Sequence, residues 1–600
     1  MLSKFFEEKD MDFYSFYTGT SFDAYEYLGA HREGGGWIFR VFAPNASRVT
    51  LNGDFTKGYE YEMNRVGDGN FFEVWTADAS AGDRYFHRIY DRRGGYVDHC
   101  DIYGFGMELR PEWRSILRDL YEYRFSDDQW MNERRNLNNF KIRPLNIYEM
   151  HLGSWCRNED GSWLSYTEIA DKLLKYLKKT GYNCVEFLPL SEHPCDESWG
   201  YQNTGFFAPT ARYGTAAELM ELIDKLHRNG IAAVMDFVPV HFAVDNYGIG
   251  KYDGTALYEY PNNDVGISEW GSCNFMHSRG EVRSFLQSCA HYWLKEYHFD
   301  GIRMDAISRI IYWQGDERRG VNGNGVDFIK TMNKGLKERI PSCMLFAEDS
   351  TNFPNVTKPA DQGGLGYDYK WDMGFMNDTL NYFRTAPEYR SDNYHKLTFS
   401  MMYYYNENYL LPFSHDENVH GKATILQKMS GQYEEKFPQG RALYLYMYIH
   451  PGKKLNFMGG EFGQLREWDE KREQDWDMLK YPNHDSFYHF IMELNALYLS
   501  HPAFFEHDYD NSGFCWIDCD NTENCIYAIE RQGGGETIAA VFNFSDKTKE
   551  YSVDKYPDRT VTLLLNTDWN RFGGDTFDDT KADITALTLP PYSGILFEIK

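Results

Sequence analysis

The chain has 600 residues, more than one hydrophobic core usually serves, so about two to four domains are expected. Its 42% hydrophobic and 25% charged residues mark a globular protein. The 62 Lys and Arg against 90 Asp and Glu leave a net charge of −28, which repels nucleic acid and anionic membrane surfaces and admits a neutral substrate.

Residues 1–112 read as a β-sandwich. WIFRVFAPNASRVTLNGDF alternates apolar and polar residues, Pro44-Asn45 and Asn52-Gly53 give turn signals, and further short strands surround Gly82 and Gly94-Gly95. The opening MLSKFFEEKDMDF has no apolar leader core, and no stretch reaches membrane-spanning length.

From about residue 143 the pattern becomes βα units, within a catalytic barrel domain expected over 113–505. NIYEMHL, NCVEFLPL, IAAVMDFVPV, FDGIRMDAI, CMLFAED, YLLPFS and KKLNFMGG are the candidate strands. Ser165 with Glu168, and Thr215 with Glu218, have capping-box spacing before helical repeats that end at Gly181 and Gly230. About seven or eight such units predict a (β/α)8 TIM barrel. The alternative, a doubly wound sheet, lacks a Gly-rich phosphate fingerprint after any strand. A long stretch at about 239–285 reads as a small inserted subdomain. Residues 506–600 return to β with CIYAIERQ, TIAAVFNFS, VTLLLNT and GILFEIK, a C-terminal β-sandwich. The ten Cys lack the density of a disulfide scaffold, and Cys515, Cys519 and Cys525 lack both CxxC spacing and a nearby His. A cytoplasmic protein with reduced thiols and no metal is expected.

Barrel sites collect at the C-terminal strand ends. Arg303 and Asp305 lie two apart in GIRMDAI, on one side of a strand, and an adjacent Arg favours the ionised carboxylate. CMLFAED ends in Glu348 and Asp349, LLPFSHDE in His415, Asp416 and Glu417, and IAAVMDFVPVHF carries Asp236 and His241. Taken singly, such a carboxylate is more often a cap or ion pair than a catalyst. Several on successive units, with an Arg and two His, suit glycosidic chemistry, in which one carboxylate attacks and another protonates the leaving oxygen.

DFVPVH, GIRMDA, AEDST and SHDE resemble the four signature regions of the α-amylase superfamily. IYEMHLGSW, LPFSHDENVHGK and KKLNFMGGEFGQLREWD narrow the resemblance to 1,4-α-glucan branching enzymes, and it extends over nearly the whole chain. It implies Asp305 as nucleophile, Glu348 as acid/base and Asp416 as the carboxylate that orients the donor sugar. It places Arg303, Asp236, His241 and His415 around that sugar, with Tyr201 of WGYQ stacking on it. The implied reaction cuts an α-1,4 bond with retention and forms an α-1,6 branch, on amylose or glycogen as donor and acceptor, without cofactor. A monomer is expected. The sequence departs from the family at GDFTKGYEYEM, NFMHSRGEV and RGVNGNGVDF. A related hydrolase and a catalytically silent glucan-binding protein are the competing readings; retention of all three carboxylates disfavours the second.

Overall fold

The computed structural model describes residues 11–136, 139–556, 559–578 and 583–600; the first ten residues of the leader reading fall outside them. Eight parallel strands close into a barrel in chain order: β1 Asn146–Met150, β2 Cys184–Phe187, β3 Ala232–Phe237, β4 Gly301–Met304, β5 Met344–Ala347, β6 Tyr369–Trp371, β7 Tyr409–Phe413 and β8 Lys453–Phe457. Most are buried at every position, which is why their sequences read as continuous apolar runs. The helices are α1 Tyr166–Thr180, α2 Ala216–His227, α3 Gly280–Glu296, α4 Gly323–Arg339, α5 Met373–Arg384, α6 Tyr433–Ile449 and α7 Pro482–Ser500. Both expected capping boxes form: Ser165 and Glu168 exchange bonds of 2.8 and 3.2 Å, and Thr215 and Glu218 bonds of 2.7 and 3.3 Å.

One strand was not among the sequence candidates. β6 has three residues, and only a 3-10 turn at Ala360–Gln362 separates β5 from β6. Pro354, Pro359 and the left-handed Gly363 and Gly366 prevent a helix there. Without a helix to space it, the short strand has no βα signature.

The chain divides into two compact units, residues 1–135, 158–171 and 187–368 in one and 136–157, 172–186 and 369–600 in the other. In the first, the N-terminal sandwich has one sheet ordered Gly29–Glu33, Gly36–Phe42, Phe71–Thr76, Asn64–Val66. Its second sheet contains Arg48–Gly53, Arg84–Tyr90 and Tyr96–His99. Phe39 fills the core against Phe55 and Tyr85 at 5.7 and 5.1 Å. Asn52-Gly53, a turn signal in the sequence, closes a strand instead, and the chain winds on into a 3-10 turn at Asp54–Thr56.

The sandwich is pinned to the stretch after β3. Asn45 donates twice to Asp253 at 2.9 Å, Cys100 N donates to Tyr247 O at 2.8 Å, and the His99 ring lies 2.8 Å from Gly248 O. The helix Phe13–Thr18 lies on α3, with Ser284 Oγ donating to Phe16 O at 2.9 Å. A Cβ at Gly280 would stand 1.8 Å from Tyr17 O, so only glycine permits this approach.

In the second unit, the C-terminal sheet runs Phe514–Asn521, Ile526–Gly533, Glu536–Asn543, Ser593–Ile599, Val561–Asn566. Gly534 and Gly535, both at positive φ, make the two-residue hairpin that this turn geometry requires. The sheet packs on α6, with Tyr446 meeting Phe542 and Phe544 at 5.8 and 6.1 Å. Buried Asp508 accepts from Lys453 and Arg531, both at 2.9 Å.

Candidate active site

In the first unit, β3, β4 and β5 end side by side. Asp236 of β3 pairs in register with Arg303 of β4, and Arg303 with Phe346 of β5. The buried Arg303 guanidinium gathers the carboxylates: Nη1 lies 2.5 Å from Asp236 and 2.9 Å from Asp305, and Nη2 lies 3.5 Å from Glu348. Burial alone would lower the Arg303 pKa, but the charges of Asp236, Asp305 and Glu348 overcome it and hold it well above the usual value. Asp236 is closed off at 2% side-chain exposure, whereas Asp305 and Glu348 keep 15% and 14% and can be reached.

The backbone after β4 is part of the arrangement. Ala306 sits at φ 45, and its N–H donates to Glu348 Oε2 at 2.6 Å. A non-glycine residue in that region is strained and persists only where its surroundings hold it; here it orients a carboxylate. Tyr201 reaches the same cluster from the loop after β2, its hydroxyl donating to Asp236 at 2.5 Å. Gly200 makes that loop possible, because a Cβ there would stand 2.5 Å from Pro189 O. His241 lies just past β3. Burial, with Arg309 nearby, pulls its pKa down to about 4, so the ring is neutral, and its Nδ1 has no hydrogen-bond partner among the described residues.

The second unit holds the other two sequence candidates. His415 and Asp416 follow β7 in a 3-10 turn. His415 Nδ1 lies 2.6 Å from Glu149 Oε1, and its backbone N–H donates to Glu149 Oε2 at 2.9 Å, so one buried carboxylate fixes both ring and backbone. His415 Nε2 then lies 3.5 Å from Asp416, whose side chain is 40% exposed. Glu149 was not a sequence candidate. Its signal was present in NIYEMHL, as an acid within a strand buried at every position.

Thus Tyr201, Asp236, Arg303, Asp305 and Glu348 form one connected cluster, with His241 in the short strand His241–Phe242 that follows β3. Asp416 and His415 form a second group with Glu149. Such a set can bind a neutral sugar through ionic hydrogen bonds and carry two carboxylates through proton and glycosyl transfer.

The α-amylase catalytic domain model matches residues 157–251 and 271–520, more than half of the chain. The 1,4-alpha-glucan branching enzyme GlgB of Fusobacterium nucleatum is 41% identical over 572 residues, covering 94% of this chain and 92% of that protein. The chain belongs to the 1,4-α-glucan branching enzymes of the α-amylase superfamily. The protein of the same description from Bacillus subtilis is 40% identical, at 94% and 91% coverage. The carbohydrate-binding module 48 (isoamylase N-terminal domain) matches residues 27–104, and the α-amylase C-terminal all-β domain residues 516–600. The solved pullulanase complexed with maltotetraose from Anoxybacillus shares the fold with TM-score 0.76 at 17% identity, over 96% of this chain and 88% of that one. A putative α-amylase of Salmonella typhimurium does so with TM-score 0.73 at 19% identity, over 96% and 99%.

Proposed function

We propose that this enzyme cleaves α-1,4 bonds of a glucan chain with retention and transfers the cut chain to a 6-hydroxyl, creating α-1,6 branches. The observation that carries this reading is the pairing of Asp305 and Glu348 around one guanidinium, in a chain of the branching family.

In the first step the Asp305 carboxylate attacks the anomeric carbon while Glu348 gives its proton to the departing 4-oxygen. The products are a glucosyl ester on Asp305 and a shortened chain with a free 4-hydroxyl. In the second, Glu348 takes the proton of an acceptor 6-hydroxyl, whose oxygen displaces Asp305 from the anomeric carbon. Two inversions give retention, and one α-1,4 bond has become one α-1,6 bond. In this reading Asp416 and His415 hold the donor sugar's hydroxyls with Asp236, Arg303 and the neutral His241, and Tyr201 stacks on its ring.

The substrate is a glycogen-like or amylose-like glucan, and the place in metabolism is glycogen synthesis. Ten free thiols support a reducing, cytoplasmic setting. The proposed organisation is a glucan-binding sandwich to residue 112, a catalytic barrel to residue 505 and a C-terminal sandwich, in a monomer. Incubation with amylose tests the activity: iodine absorbance falls, isoamylase-releasable chains appear, and reducing ends scarcely increase. Rising reducing ends would make the protein a hydrolase, and no change would make it a glucan-binding protein.

A further inference from the structure

Beside the first-unit cluster runs an open groove of about 830 Å³, lined among others by Ser268, Glu269, Arg309, Gln314, Ser350 and Thr351. Its walls come from three consecutive strand-end loops, those after β3, β4 and β5. Ser350 and Thr351 follow Glu348 by two and three residues. Trp270 adjoins this wall and is 46% exposed. Its ring is not adrift: Arg309 lies over it at 4.9 Å and the His241 ring meets it at 5.2 Å. Ser268 Oγ accepts from its backbone N–H at 3.2 Å, and its carbonyl accepts from Gln202 Nε2 at 3.4 Å.

The groove's charges are balanced locally. Arg309 is paired with Glu269, Arg318 with Asp316 and Arg319 with Asp264. Among the lining residues the three carboxylates of Glu269, Asp316 and Glu317 equal in number the three guanidiniums of Arg309, Arg318 and Arg319, so no one-signed field selects an ionic ligand, while these groups still present hydrogen-bonding edges. An exposed indole held in place beside such edges matches the apolar face and the hydroxyls of a sugar ring.

Chemistry assigns the side. The residue that protonates the departing oxygen must stand on the leaving-group side, and the same residue later deprotonates the incoming hydroxyl at that place. Ser350 and Thr351, two and three residues past Glu348, line the groove, which sets it on the acceptor side. We propose that Trp270, backed by Arg309, is the stacking platform of an acceptor subsite, and that the groove seats the glucan chain that supplies the attacking hydroxyl. The assignment rests on the proposed reaction and adds to it the residue that selects transfer over hydrolysis.

The test uses α-maltotetraosyl fluoride as donor, because fluoride departs without occupying the groove, and maltoheptaose as acceptor. Fluoride release measures glycosyl-enzyme formation, and the share of chains passed to maltoheptaose rather than water measures the acceptor side. Trp270→Ala is expected to raise the half-saturating maltoheptaose concentration about tenfold, the scale of one aromatic contact. Trp270→Phe should retain most of the affinity, and Arg309→Gln, which withdraws the support, should fall between. Unchanged half-saturation in Trp270→Ala overturns the assignment; should that variant not fold, unchanged half-saturation in Arg309→Gln does so. Wild-type transfer without α-1,6 linkages would instead overturn the branching reading and leave the groove assignment standing.

Discussion

Arg303 holds Asp236, Asp305 and Glu348 on one guanidinium, so substitutions around it separate chemistry from architecture. Asp305→Ala removes the proposed nucleophile from a position that is partly open. Turnover is expected to fall by about 10⁴-fold or more, with the melting temperature little changed. Glu149→Gln keeps the shape of the residue that grips His415 but removes its charge. A drop of about 10–100-fold in turnover is expected, the usual cost of losing a charged partner behind a site group. Melting curves that stay near wild type would separate this from unfolding. The two cases differ in how legible they were. Asp305, Glu348 and Asp416 each end an apolar run, and that break in texture is visible locally. Glu149 stands inside such a run, before Met150, and its role depends on His415, 266 positions away, a distance that no local pattern carries.

At the level of elements, capped helices and long buried strands were readable because their signals are short-range. The polar cluster under the barrel was not. The His227 ring, at the end of α2, bridges Asp127 at 2.7 Å and Asp300 at 3.0 Å. Arg134 of the helix Asp128–Arg135 also reaches Asp300, at 2.8 Å, and Trp130 stacks on His227 at 5.3 Å. Burial opposes charge on His227, yet the two carboxylates overcome it and raise its pKa to about 8. This cluster fastens the Asp128–Arg135 segment to the barrel through residues that no sequence period connects. His227→Leu would remove the cation that the two carboxylates share and leave Asp300 to Arg134 and Asp127 to His298, with an expected loss of about 1.5–3 kcal/mol measured by denaturant unfolding. A variant as stable as wild type would show that the cluster fastens nothing.

For the molecule as a whole, buried titratable groups set the pH of greatest stability. His87, His193 and His450 are pushed down to about 3, and His241 and His277 to about 4, by burial above all. Below the ordinary histidine value the unfolded chain takes up protons that these rings refuse, so stability falls with acid. Asp101 and Asp372, raised to about 6, and Glu461, raised to about 7, oppose this loss: they favour the folded state at low pH and lose that effect as pH rises through those values. His227 contributes fully below its ordinary value and loses that contribution as pH rises through about 8. Above pH ~6.5 Glu461 and His227 lose their contributions, while Lys428, lowered to about 8, and Lys454, lowered well below its usual value, both by burial, gain theirs, so the melting midpoint should climb up to about that pH and change less beyond it. Melting scans in buffers of constant ionic strength check this, and a midpoint no higher at about pH 6.5 than at about pH 4.5 would contradict it.

The N-terminal sandwich is fastened through Asn45, His99 and Cys100 to Asp253, Gly248 and Tyr247, in the loop that goes on to present Trp270. The two therefore form one transplantable cassette. A chimera that exchanges the sandwich alone severs those bonds and leaves a foreign loop beside the groove. Exchanging residues 27–104 together with 241–279 moves the fastening and the platform as a piece. That pair of segments is the natural unit for engineering, or for recombination among relatives, wherever the aim is to change which chains are branched.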